Sequence, residues 1–259
     1  MTHGSLFSGI GGFDLAAQWM GWENVFQVEW DGFCQKVLAK NFPNVTRYGD
    51  IREFDGRKYK GSIDVISGGF PCQDTSNAKT WTSKGENLEE GIDGKRTGLW
   101  WYYLKIIEVF KPNWVTGENV DAIRYKGLNF ILQSLAEIGY DAEWKIISAS
   151  KFGAPHKRER CWIVAYPNSI RRNEESLIFG KKFDETIQKA SQWELSRTIC
   201  SNNGKKTLPN SLGIYDGIPR ELYDAERIKA LGNAIVPQVA FQIFKAIEQY
   251  DMSRQIRNE

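Results

Sequence analysis

Residues 5–12 read Ser5-Leu6-Phe7-Ser8-Gly9-Ile10-Gly11-Gly12. The first three residues are strand-like. Three glycines follow within four positions, and residues 13–20 then read as a helix stopped by Gly21. A strand that breaks into glycines and restarts as a helix is the opening unit of an α/β sheet. Glycines at such a turn let a ligand approach the backbone, and the helix N-terminus favours negative groups. Residues 25–28 form the next strand, and Glu29 closes it twenty residues after Gly9. An acid at that place meets ribose hydroxyls in such folds. Trp30 follows and offers an aromatic face to an adenine. Asp50, in Gly49-Asp50-Ile51, falls where a third strand ends. The set points to an adenosine-bearing cofactor, and the glycines alone leave NAD and S-adenosylmethionine both open.

The same alternation continues outward. Asp31 is placed to cap a helix over 32–41, and residues 63–66 are the next strand. Leu99, Trp100, Tyr103, Leu104, Ile107 and Phe110 recur at helical spacing until Pro112. Residues 114–116 are strand-like and lead into Gly117-Glu118-Asn119. Leu128, Ile131, Leu132, Leu135 and Ile138 share one helical face closed by Gly139. Residues 144–148 and 161–165 are strand-like. These repeats predict an α/β fold with a doubly wound, mostly parallel sheet. From Pro167 the chain turns polar and turn-rich, as a small separate lobe would, and helical signal returns at 225–231 and 236–250. The expected division is 1–166, a lobe at 167–222, returning helices at 223–250 and a frayed tail at 251–259.

Gly68-Gly69-Phe70-Pro71-Cys72-Gln73-Asp74 places a thiol beyond the end of the fourth strand, where ligands bind in open α/β sheets. Cys34 on a helix and Cys161 in an apolar strand read as small buried hydrophobes. Cys72, among proline, glutamine and aspartate, does not. Residues 74–96 are polar, carry Lys79, Lys84, Lys95 and Arg96, and are long enough for a lid or binding loop. Glu118 ends the neighbouring strand. A carboxyl group held there can stay protonated through desolvation and donate to a ring nitrogen. Lys157-Arg158-Glu159-Arg160 is a basic cluster suited to phosphates or to a flipped base.

Composition sets outer bounds. The chain has 259 residues, 41% of them hydrophobic and 25% charged, as in a soluble globule with a real core. With 34 Lys and Arg against 32 Asp and Glu, the net charge of +2 gives no global pull towards nucleic acid. The four cysteines contain no CxxC pair, so no metal site is expected. No apolar run approaches a membrane span of about 20 residues and no secretory leader is evident. A cytoplasmic chain without a membrane partner is expected.

These pieces, in this order, resemble the cytosine-C5 DNA methyltransferases of prokaryotic and phage type. SLFSGIGG looks like the family's cofactor loop, VEW like its ribose-binding acid and adenine-stacking tryptophan, and GDI like its third cofactor motif. GGFPCQ resembles the nucleophile loop, GENV the glutamate motif, FGAPHKRER the arginine motif and ALGNAIVPQVA the returning C-terminal motif. The resemblance implies a Rossmann-like methyltransferase fold and S-adenosyl-L-methionine as cofactor, with S-adenosyl-L-homocysteine as product. It carries cofactor contacts onto Phe7, Gly9, Gly11, Gly12, Glu29, Trp30, Asp50, Ile51, Pro71, Leu99 and Asn233. It carries catalysis onto Cys72, Glu118, Arg158 and Arg160. The polar lobe corresponds to target recognition, with Arg171, Arg172, Lys181, Lys182, Lys205 and Lys206 as phosphate contacts.

The implied reaction is methylation of C5 of a flipped cytosine in double-stranded DNA, through Cys72 addition at C6. A cognate restriction endonuclease is a further partner that the resemblance allows. The same chemistry on tRNA and a silent DNA-binding relative are the alternatives, and an NAD-dependent oxidoreductase leaves Pro-Cys-Gln and Glu-Asn-Val unexplained. Three residues depart from the family pattern. Ser5 stands where an acid is common, which implies one hydrogen bond fewer to the methionine moiety. Asp74 lies two residues from the thiol and tends to raise its pKa. His156 stands where glutamine is usual.

Overall fold

The computed structural model describes residues 1–71, 98–154, 157–170, 177–181, 183–185 and 225–258. Cys72, the basic loop at 74–96, His156 and most of the polar lobe, including Arg171, Arg172, Lys182, Lys205 and Lys206, lie outside the described residues.

Strands β1 (Thr2–Leu6), β2 (Glu23–Val28), β3 (Thr46–Tyr48), β4 (Val65–Gly68), β5 (Trp114–Val120), β6 (Tyr140–Ser148) and β7 (Glu159–Pro167) form one sheet. Its order is β3-β2-β1-β4-β5-β7-β6. Pairs among β1 to β5 are parallel, and β7 runs antiparallel between β5 and β6. The strand order reverses between β1 and β4, which is where ligands settle in doubly wound sheets. The mostly parallel α/β sheet expected from the sequence is therefore present.

Helices cover both faces, and the alternation of side chains along each strand decides which face they meet. Ile66 and Val115 belong to a cluster with Tyr103 and Ile107 of α3 (Leu99–Phe110) and with Ile131 and Leu135. Short α4 (Ile123–Lys126) and α5 (Leu128–Glu137) follow β5. Val65 and Trp114, one residue before Ile66 and Val115, pack on the opposite face with Phe13, Ala16 and Ala17 of α1 (Gly12–Trp19). Helix α2 (Gly32–Asn41) starts at Asp31, whose Oδ1 accepts from the Phe33 and Cys34 N–H groups.

After the lobe come α6 (Ala225–Asn233) and α7 (Pro237–Asn258). Val239, Ala240, Ile243, Phe244 and Ile247 of α7 pack against α1, with the Trp22 and Phe244 rings stacked at 4.7 Å. The segment Lys229–Ser253 is long and apolar enough to cross a membrane by length and composition only, and Lys245 and Glu248 interrupt its apolar run. Its burial against α1 is the behaviour of a core helix.

Two boundaries differ from expectation. Helix α7 continues to Asn258 instead of fraying at 251, because Asp251 Oδ2 accepts from Trp114 Nε1 at 3.0 Å and anchors the last turns. Strand β5 runs past Glu118 to Val120, because β7 extends the ladder and pairs Glu118 with Trp162. Part of the segment after Pro167 also joins the core: Ile170, Ile178 and Phe183 are buried with Trp162 and Tyr166.

Beneath the glycine turn lies a buried polar network. Ser5 Oγ donates to Asp14 Oδ1 at 3.0 Å and lies 2.6 Å from Ser8 Oγ, and Gln27 Nε2 donates to Asp14 Oδ1 at 3.0 Å. Burial pushes the Asp14 carboxyl up to about 6, against 3.8 in the open chain, and drives His3 down to about 4. The two act oppositely. A raised carboxyl loses stability as pH rises through the window 3.8 to 6, whereas a depressed histidine loses it as pH falls below 6.5. Asp14→Asn removes only the first effect. Its stability relative to the parent should be about 2 kcal/mol better at pH 7.5 than at pH 4.5. Denaturant midpoints at both pH values measure this, and equal differences would show that Asp14 ionises normally.

Candidate active site

The cofactor half of the site sits on β1, β2 and β3. Phe7 follows β1 in a left-handed conformation (φ 51°), and Gly9 (φ 55°) and Gly11 (φ 89°) repeat it. Strain at a non-glycine residue is characteristic of functional turns. At Gly9 a side chain would meet open space, which leaves room for a ligand. At Gly12 a Cβ would lie 2.7 Å from the Ile235 carbonyl oxygen, so that glycine is required by the protein's own C-terminal segment. The Gly9 N–H donates to Glu29 Oε2 at 2.7 Å and the Asp31 N–H donates to Glu29 Oε1 at 2.8 Å. Burial raises the Glu29 pKa, and these two N–H bonds oppose the rise. Each carboxylate oxygen keeps a second lone pair for a ribose hydroxyl.

Trp30 is 72% exposed, so its ring is open to a planar partner. Asp50 follows β3 and is held by Arg52, while Ile51 is buried in the core. Leu99 starts α3 and Asn233 ends α6, both at the same end of the sheet. Open space at Gly9, an anchored Glu29 and a bare indole fit an adenosine-bearing group. Trp30→Ala should weaken S-adenosylhomocysteine binding about tenfold if the indole stacks on the adenine. Equilibrium titration checks this, and unchanged affinity would remove Trp30 from the pocket.

Ser5 is fully buried, and its hydroxyl is spent on Asp14 and Ser8. The acid that receives the Ser5 hydroxyl, Asp14 on α1, is itself fully buried and also accepts from Gln27.

The second half sits on β4, β5 and β7. Glu118 is buried on β5, and Arg160 Nε of β7 lies 3.0 Å from its Oε1. Burial raises the Glu118 carboxyl to about 7, against the pull of Arg160 and then Arg158. A carboxyl group poised there is protonated in a large fraction at neutral pH and can donate to an acceptor. A Cβ at Gly69 would lie 3.1 Å from Ile235 Cδ1 and 3.5 Å from Glu118 Oε2, so the Gly68-Gly69 turn brings the loop against both. Pro71 is exposed at the edge of the described loop.

Arg158 goes elsewhere. Its Nη2 donates to the carbonyls of Gly232 at 2.8 Å and Ala234 at 2.7 Å, on either side of Asn233. It too has a left-handed backbone, with φ 40°.

Two residues were not singled out from the sequence. Asn119 Nδ2 donates to the Phe70 carbonyl at 3.0 Å and its Oδ1 accepts from Val120 N–H, which ties the loop leading to Cys72 onto β5. Its place beside Glu118 in the GENV motif was the available signal. Ile235 wedges between Gly12 and Gly69, and nothing in an isolated isoleucine signals that.

Cys34 and Cys161 are buried free thiols, each pushed up to about 12 chiefly by burial. Neither serves as a thiolate at neutral pH.

The family model for C-5 cytosine-specific DNA methylase matches residues 1–214. Type II methyltransferase M2.BsuMI of Bacillus subtilis is 34% identical over 189 residues, which is 70% of this chain and 45% of that protein. Type II methyltransferase M.HpaII of Haemophilus parainfluenzae is 35% identical over 70% of this chain and 50% of its own length. The chain spans about half the length of these relatives. The methyltransferase EhMeth of Entamoeba histolytica superposes with a TM-score of 0.60 at 16% identity, over 95% of this chain and 97% of EhMeth, a likeness of fold alone. With the family model matching most of the chain and its motifs gathered at one end of one sheet, the chain belongs to the C-5 cytosine-specific DNA methylases, whose methyl donor is S-adenosyl-L-methionine.

Proposed function

We propose that this protein methylates C5 of a flipped cytosine in duplex DNA. The observation that carries the reading is the buried Glu118–Arg160 pair, 3.0 Å apart, against the glycine turn that leads to Cys72. Cytosine C5 is too weak a nucleophile to take a methyl group unaided. Cys72 forms a bond to C6, and Glu118 gives its proton to N3, so that C5 gains enamine character without negative charge building on the ring. Arg160 donates to O2 of the base while it holds Glu118. S-adenosylmethionine supplies the methyl group that C5 takes. S-adenosylhomocysteine leaves, a base then removes the C5 proton, the C5–C6 double bond re-forms as the C6–sulfur bond breaks to release Cys72, and N3 returns its proton to Glu118. The base is unreachable inside a duplex, so it must be extruded at a cost of a few kcal/mol.

Residues 74–96 act in this reading as the lid over the extruded base, and residues 167–222 as the target-recognition lobe. The relatives include type II methyltransferases and an orphan methyltransferase of a Bacillus phage, so the likeness fits action with or without a cognate endonuclease. The site of action is the cytoplasm of a bacterial or phage-infected cell.

Transfer of labelled methyl groups from S-adenosylmethionine to mixed-sequence duplex DNA and to tRNA, side by side, tests the proposal. C5-methylcytosine in the DNA alone is expected. Label in tRNA alone would move the reading to RNA, and binding of donor and DNA without transfer would mark a silent relative.

A further inference from the structure

The turn at Asn233 borders both halves of the site. One residue after Ala234, Ile235 wedges between Gly12 of the cofactor turn and Gly69 of the nucleophile loop. Any shift of this turn therefore alters the donor pocket. Between the buried Ala230 and Ile235 the turn itself stands in solvent. Leu231, Gly232 and Asn233 are exposed, and the Ala234 N–H reaches the Leu231 carbonyl at 3.3 Å. Among the described residues, two charged side chains tie the segment to the rest. Lys229 Nζ lies 3.4 Å from Asp31 Oδ2 with its side chain 63% exposed, and pairs of that kind contribute little. Arg158 is the stronger tie. Its two bonds are charge-assisted and short, at 2.8 and 2.7 Å, and they clamp the carbonyls on either side of Asn233. The strained backbone at Arg158 is a cost that persists where neighbouring structure dictates the position.

We infer that Arg158 is a positioning residue for the methyl-donor pocket, acting through the Gly232 and Ala234 carbonyls, while Arg160 two residues on serves the base through Glu118. The two arginines of one motif thus divide the labour between the two substrates. This rests on the methyltransferase reading given above.

The test compares Arg158→Gln, Arg158→Lys and Arg160→Gln in the full chain, by titration with S-adenosylhomocysteine without DNA and by steady-state methyl transfer. Arg158→Gln leaves two carbonyls without their donor and should weaken binding about tenfold or more. The KM for S-adenosylmethionine should rise in step, with kcat at saturation within about threefold of the parent. Arg158→Lys, which keeps the charge and reaches one carbonyl at a time, should fall between the two. It also keeps the question open to experiment should Arg158→Gln fold poorly. Arg160→Gln should bind S-adenosylhomocysteine within about twofold of the parent and lose kcat instead. Parent-like binding by both Arg158 variants, with kcat lost, would overturn the assignment and place Arg158 on the base. A parent protein that binds no S-adenosylhomocysteine would sink the methyltransferase reading itself, and this inference with it.

Discussion

Cys72→Ala should lower methyl transfer by about 10⁴-fold or more while leaving the binding of cofactor and DNA in place. Without a thiol to add at C6 there is no enamine, and C5 stays inert however well the base is held. The covalent step has its own readout. In duplex DNA containing 5-fluorocytosine, the fluorine cannot leave C5 as a proton does, so a working enzyme stalls with its sulfur on C6. The parent protein should give a DNA adduct that survives denaturation, and Cys72→Ala should give none. An adduct formed by the variant would assign the nucleophile to another residue. Cys34 and Cys161 are poor candidates, since burial holds both thiols near 12.

Glu118→Gln should cost roughly 10²-fold or more in kcat, the usual contribution of a placed general acid. Its pH signature separates proton donation from simple hydrogen bonding. The folded carboxyl sits at about 7, raised chiefly by burial from 4.5. Its protonated form is therefore present below 7 and is lost as pH rises through that value. A free thiol near 8.5 contributes thiolate in the opposite direction. The parent should show a bell-shaped profile that stops rising near 7, where Glu118 begins to ionise, and falls above about 8.5, where the thiolate fraction no longer grows to offset it; the amide should lack the falling limb. If the falling limb persists in Glu118→Gln, another group is the acid. The raised carboxyl also bears on folding: its contribution to stability is lost as pH rises through the window 4.5 to 7, and Arg160 offsets part of that loss.

Local rules made most of the scaffold legible. The glycine turn after β1, the spacing to Glu29 and the Asp31 cap all follow from short-range geometry, and the apolar periodicity of α3 and α5 marked their buried faces. The pairing of Glu118 with Arg160 was not readable in the same way. The two are brought together by an antiparallel neighbour in the sheet, and register between distant strands is not written in either strand alone. Gly12 has a second constraint hidden for a related reason. A residue more than two hundred positions away, Ile235, takes the space that a side chain there would need. Arg158 shows the same limit: its motif marked a basic cluster, and only the fold shows that one member faces two carbonyls.

Helix α7 lies on α1, and Met1 packs in the same cluster as Tyr250. The first and last described segments are therefore neighbours, and β7 ends beside them, with Tyr166 and Tyr250 both against the Trp114 ring. The order of motifs along the chain is a matter of wiring, not of geometry. The same closure means that a ribosome adds more than two hundred residues after Phe13 and Trp22 before Phe244, the ring on which both stack, emerges. Until then Phe13 and Trp22 lack the ring on which both stack, and that face of α1 waits for the last helix to cover it.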